Sequence, residues 1–274
     1  MKQFEVIGGL SGSRFEKIPA GTSIEDMPYF VYGSFAGIAL TVFNLVPSVT
    51  NMLGKGALTC ITSAYERGDR GQLKNSTVQA LIFSAVIAVP SAVGIAVLSE
   101  EILNFLYPLQ AEEAMICVVP LKILMPGMVC LCISYPLFSM LQAVGKPSEP
   151  LKIMLVGTAA KLIGNLVLIP KIGVNGAAVS TTICYTAILI ISFAVYLKTV
   201  KIKIFVMPFA KVVYAGLMCG GAAYIAAVLA RKLGAGDLKI ILFSAFAGGF
   251  VYLGMIYTLM GVHTAKNKAC TKAG

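Results

Sequence analysis

Residues 80–98 read ALIFSAVIAVPSAVGIAVL, a run with no charged side chain. At about 1.5 Å of rise per residue, this run and the residues leading into it from Leu73 cross a hydrocarbon core of roughly 30 Å as a helix. The run lacks the alternation of a barrel strand. In lipid every backbone N–H and C=O must be paired within the chain, so a helix is what remains. Blocks of the same kind flank it: Tyr29 to Ala64, Ala111 to Ala143, Pro150 to Ile169, Gly173 to Leu197, Val206 to Ala230 and Leu238 to Met260. With Leu73 to Leu98 they make seven spans. The expected fold is all-α, a polytopic membrane helix bundle.

Composition agrees with lipid as the solvent. Of 274 residues, 58% are hydrophobic and 12% charged, with a mean hydropathy of +0.86, against roughly a quarter charged in soluble domains. The net charge of +10 does not point to nucleic acid, because the basic residues fill the gaps between apolar blocks, where head groups and topology account for them. No basic groove with stacking aromatics is visible. Cys60, Cys117, Cys130, Cys132, Cys184 and Cys219 lie inside apolar blocks and Cys270 in the tail, without a CxxC pair. They read as small packing residues rather than ligands or disulfides. The first block, interrupted by Pro47, Gly54 and Gly56, is expected as one long kinked helix. The block from Ala111, with Pro120, Pro126 and Pro136, should bend more than once. Between Leu98 and Ala111 an acidic connector carries an apolar centre, Ile102 to Tyr107, expected at the membrane interface.

Alternate loops divide the Lys and Arg residues unequally. One side holds 11, from Arg67, Arg70 and Lys74 to Lys272, and the other 7, including Lys171, Arg231, Lys232 and Lys239. The cytoplasmic side takes the excess, so the carboxy terminus is expected there and residue 1 outside. Four parts follow: a polar extracytoplasmic segment 1–28, a five-helix bundle 29–200, two further spans 201–260, and a basic cytoplasmic tail 261–274. The opening segment has no signal-peptide core. Its placement outside implies an odd number of helices upstream.

An ionisable side chain deep in a span costs at least roughly 2.5–3.5 kcal/mol on insertion scales. Lys161 is the deepest, in the middle of LKIMLVGTAAKLIGNLVLIP. Asn165 follows on the same face, and Gly157 precedes it with the expectation of clearing space beside it. That face reads either as a cation meeting a phosphate in a polar cavity or as a lysine paired with helix carbonyls at a packed seam. Lys55 and Lys122 are similar candidates. Asn44, Asn51 and Gln142 are amides in apolar surroundings, able to line a cavity or to bond across helices. Every Asp and Glu falls in a connector or helix end, so no proton-coupled carboxylate is expected within a span. The lone His263 follows the last span and no paired carboxylates occur, which argues against an enzyme. No metal or cofactor is indicated.

The order of motifs is more specific than any one of them: FNLVPSVT at 43–50, ITSAYERGD at 61–69, LQAVGKP at 141–147 and KLIGNLVLIPKIGVNGAAVSTTICY at 161–185. Together they resemble the carboxy-terminal half of the polysaccharide-transport and lipid-flippase family, which includes stage V sporulation protein B and the lipid II flippases and belongs to a MATE-like superfamily. The resemblance covers residues 29 to 200 well, and the last two helices match only in hydropathy. Asn44, Leu45 and Pro47 stand as an NLP-like element with Val46 within it. Gln142, Gly145 and Lys146 match an LQG-GK stretch, with Ala143 where a glycine is common. Lys161, Asn165, Gly173, Gly176 and Ala177 match a KxxxN to GxxGAA region. Lys55 departs from the pattern, standing where a small polar residue is expected, and the first-lobe arginines of lipid II flippases have no counterpart here. The resemblance implies helices eight to fourteen of a fourteen-helix fold, with two lobes around a central cavity that work by alternating access. It implies a flippase for an undecaprenyl-linked saccharide in the bacterial cytoplasmic membrane, with membrane lipids and a missing amino-terminal lobe as partners. Its pyrophosphate would be held by cations, with Lys161, Asn165 and Lys55 lining the cavity. Two rivals are a cation-coupled multidrug exporter of the MATE type, which would want buried carboxylates, and a non-transporting membrane scaffold for envelope or spore assembly.

Overall fold

The computed structural model describes residues 27–202, 207–234 and 236–271, and the regular structure among them is helical. Helix α1 (Met27–Ser34) passes through a π-helical turn, Phe35–Ala39, into α2 (Leu40–Glu66). Helix α3 (Arg70–Val97) leads to the short α4 (Ser99–Leu106), a 3-10 turn at Pro108–Gln110 and the long α5 (Ala111–Ala143). Then come α6 (Glu149–Ile172), α7 (Val174–Val200), α8 (Met207–Lys232) and α9 (Asp237–Thr271). Among the described residues 7 stretches are long and apolar enough to span a membrane, as expected from the sequence. Nearly all of the polar opening segment lies outside the described residues. Residues 261–271 of the basic tail continue α9 as helix.

Helix α5 is the axis of the bundle. Leu121, Leu124, Met128, Leu137, Met140 and Leu141 on it are fully buried, and it packs against α2, α3 and α7. Its three prolines sit inside one continuous helix. In the first block Pro47 lies inside α2, and a π-helical turn comes earlier, at Phe35–Ala39. Hydroxyls near Pro47 turn back onto the same helix, Ser48 to the Asn44 carbonyl at 2.7 Å and Thr50 to that of Pro47 at 3.0 Å. Such bonds to the preceding turn satisfy the hydroxyls within the helix itself.

Small residues set the seams. At Gly127 an added Cβ would lie 3.0 Å from the Thr182 Cα, and the Thr182 hydroxyl donates to the Ile123 carbonyl at 2.8 Å, locking α7 to α5. On the α6–α7 hairpin, a Cβ at Gly176 would lie 2.6 Å from the Leu168 carbonyl. The hairpin turns on Gly173, whose φ of 60° suits a residue without Cβ. Helices α8 and α9 lie against α3, with Gly216 and Gly220 facing Val89 and Val93.

The acidic connector is less exposed than its composition suggests. Helix α4 packs against α5 and α9, and Glu101 is only 4% exposed. Its Oε1 accepts from the Arg231 Nε at 2.6 Å and also pairs with Nη2. A carboxylate of the acidic connector is thus buried, and a guanidinium from α8 compensates its charge.

Candidate functional site

Helix α2 buries Val42, Phe43 and Thr50 against the bundle, and Phe43 stacks on Tyr185 of α7 with ring centroids 5.6 Å apart. The other side of α2 carries Thr41, Asn44, Ser48, Asn51 and Lys55. Steps of three and four residues keep these on one stripe. All are exposed except Asn51, which is half-buried. Leu45, Val49 and Met52 form an apolar stripe beside it. The Thr41 hydroxyl bonds the Gly37 carbonyl at 2.6 Å. Amides and an ammonium aligned along a spanning helix are costly against hydrocarbon, so such a face meets water or protein. Sequence reasoning named Asn44, Asn51 and Lys55 one at a time and missed Thr41 and Ser48, although the spacing was there to be read.

Lys161 and Asn165 stand on α6, which buries less of its span than any other helix, 11%, and is seated chiefly on α7. Lys161 is half-buried, and its backbone carbonyl accepts from the Ser180 hydroxyl of α7 at 2.9 Å. Gly157 does not clear space for Lys161 as expected. Its open side is filled by Ile188 of α7, 2.4 Å from where a Cβ would stand, and its carbonyl accepts from the Cys184 thiol at 3.0 Å. Gly157, Lys161 and Gly164 therefore share the α6–α7 seam. Asn165 is half-buried with its Oδ1 shielded and without a hydrogen-bond partner among the described residues.

Lys122 is exposed on α5 beside Met115, Val119 and Pro126, and Gln142 is exposed near the other end of that helix. The structure thus brings Asn44, Asn51 and Lys55 together on α2. It leaves Lys161 with Asn165 on α6, and Lys122 and Gln142 apart on α5. Among the described residues no cluster of His, Cys, Asp and Glu could hold a metal.

Among the described residues, seven apolar spans, one of them the buried axial helix, and a polar stripe turned away from the core define a multi-pass helical membrane bundle. The sequence profile described as "Lipid II flippase MurJ" matches residues 38–244, and the chain belongs to that family. An uncharacterized membrane protein of Methanocaldococcus jannaschii, MJ1068, is 27% identical over 154 residues, covering 55% of this chain and 29% of that protein. A solved structure of lipid II flippase MurJ in an inward closed conformation superposes with a TM-score of 0.61 at 19% identity, over 89% of this chain and 57% of the other. That likeness is one of fold. The chain spans less than two thirds of the length of either protein.

Proposed function

We propose that the chain is the carboxy-terminal part of a carrier that flips an undecaprenyl-linked saccharide, of the lipid II or polysaccharide-precursor type, across the bacterial cytoplasmic membrane. It moves its cargo from the cytoplasmic to the outer leaflet and catalyses no chemical reaction. The α2 stripe carries this reading, because Asn44, Asn51 and Lys55 face away from the bundle and so require an aqueous cavity or a second lobe beside them. Lys55 offers a cation to pyrophosphate, the amides offer hydrogen bonds to sugar hydroxyls, and Lys161, Asn165, Lys122 and Gln142 are further members. The second lobe is supplied by helices outside this chain, since alternating access needs two bodies that rock against each other. In this reading residues 1–28 are extracytoplasmic, 29–200 form the lobe, 201–260 add two helices and 261–274 are a cytoplasmic tail.

The test joins this chain to spanning segments encoded upstream and reconstitutes the joined protein in vesicles with a fluorescent lipid-linked saccharide. Transport is expected, and Lys55→Ala is expected to slow it by about tenfold, the equivalent of roughly 1.4 kcal/mol. Full transport by alanine variants at Lys55, Asn51 and Lys161 together would remove the cavity assignment. Absence of transport in a folded joined protein would favour the scaffold.

A further inference from the structure

Helix α3 ends where Leu98 enters one apolar cluster with Ala227, Ala230 and Ile240. The end of α3 therefore stands level with the last turn of α8 and the first turn of α9. The residues next to that cluster are charged: Arg231 and Lys232 on α8, Asp237 and Lys239 on α9. Ionised groups at span ends mark the height at which hydrocarbon gives way to head groups. Helix α4 begins at that height. One side of it is fastened down, with Leu103 fully buried in the core that holds Ala114 and Cys117 and Glu101 bonded to Arg231.

What α4 turns outward is apolar. Phe105 and Leu106 are about half exposed, and Leu109, in the turn that follows, is 98% exposed. Bulky apolar side chains gathered on a short helix at the polar boundary are the composition of an interfacial segment. A protein partner would call for a larger face, since a stable interface buries about 800 Å² on each side and three side chains at the rim do not supply it.

We propose that α4 and the Pro108–Gln110 turn form an interfacial anchor, with Phe105, Leu106 and Leu109 inserted at the headgroup–acyl boundary of the leaflet on that side. Through the Glu101–Arg231 pair the anchor also sets the depth of the α8–α9 hairpin. This holds whatever the cargo, since it concerns only how the bundle sits in the bilayer.

The chain has no tryptophan, so Leu109→Trp and Phe105→Trp each give a single emitter, the first at an almost wholly exposed position and the second at a half-exposed one. Each purified full-length variant is placed in phosphatidylcholine vesicles with lipids brominated either near the glycerol or near the chain end. Phe246→Trp, at a position 76% exposed near the middle of the Asp237–Thr258 span of α9, serves as the deep reference. The expected result is blue-shifted emission from both anchor variants, quenched more by the shallow bromines, with the reverse preference for the reference. Red emission quenched by aqueous acrylamide and untouched by bromines would overturn the anchor, because the patch would face water. Protection from both quenchers would overturn it as well, because a protein surface would cover it.

Discussion

The Tyr252 hydroxyl of α9 donates to the Val86 carbonyl of α3 at 2.8 Å, and Val86 is the residue whose carbonyl Pro90, four positions on, leaves without a backbone donor. A side chain from the last helix thus repairs a defect in the second span. Removing the hydroxyl in Tyr252→Phe leaves that carbonyl orphaned, at an expected cost of about 1 kcal/mol, within the range for hydrogen bonds inside membrane proteins. Pro90→Ala restores the backbone donor. In that background Tyr252→Phe should cost nothing, and a double-mutant cycle of unfolding in mixed detergent measures the difference. Equal losses in both backgrounds would show that Tyr252 acts through packing alone.

The glycines of the α6–α7 hairpin separate by what faces them. At Gly176 the obstacle is the Leu168 backbone, whereas at Gly157 it is the end of the Ile188 side chain, which can rotate away. Gly176→Ala is expected to destabilise by about 1–3 kcal/mol, the range for overpacking, and Gly157→Ala by less. Gly33→Ala, with open space around the Cβ position, should be neutral or better, given the helix preference for alanine. Thermal unfolding of the three purified variants orders them, and Gly157→Ala as the worst would refute the assignment.

Glu101 and Arg231 are unequal partners, since the carboxylate is buried and the guanidinium 41% exposed. Arg231→Ala strands a buried negative charge and is expected to cost about 2 kcal/mol, below the 3–5 of a fully buried pair because water reaches the site. Glu101→Ala releases an arginine that can turn to solvent, so it should cost less, and the double variant should recover part of the Arg231→Ala loss. Chemical unfolding of the four proteins decides it. Additive losses would mean the contact carries no coupling.

These relationships show where the sequence was legible. A span must satisfy its own backbone, so run length and charge gaps marked α3 and the α6–α7 hairpin to within a few residues. Glu101 could not be read, because what buries it is Arg231, 130 positions away, and an acidic connector otherwise belongs in water. The π turn at Phe35–Ala39 lacked a local signal too: Gly33 and Gly37 read equally well as an ordinary helix face. Lys161 was legible as deep, but the side it takes depends on Ser180 and Ile188 of another helix.

The α2 stripe yields a direct test of what lies beside it. If Asn44, Ser48 and Lys55 line an aqueous cavity, cysteines placed there react with a membrane-impermeant maleimide in the joined two-lobe protein, while cysteines at Leu45 and Met52 on the adjoining apolar stripe do not. The native cysteines at 117, 132, 184 and 219 are buried, and a cysteine-free background removes all seven. Reactivity should also follow the helical period of three and four, since neighbours one residue apart point about 100° away from each other. Adding the lipid-linked saccharide should protect Lys55→Cys most, because the cation there is the group assigned to the pyrophosphate. Uniform reactivity along α2 would mean that the helix is simply solvated. Reactivity at Leu45 and Met52 but not at Asn44 and Ser48 would place the cavity on the other stripe and leave Lys55 to pair with protein instead.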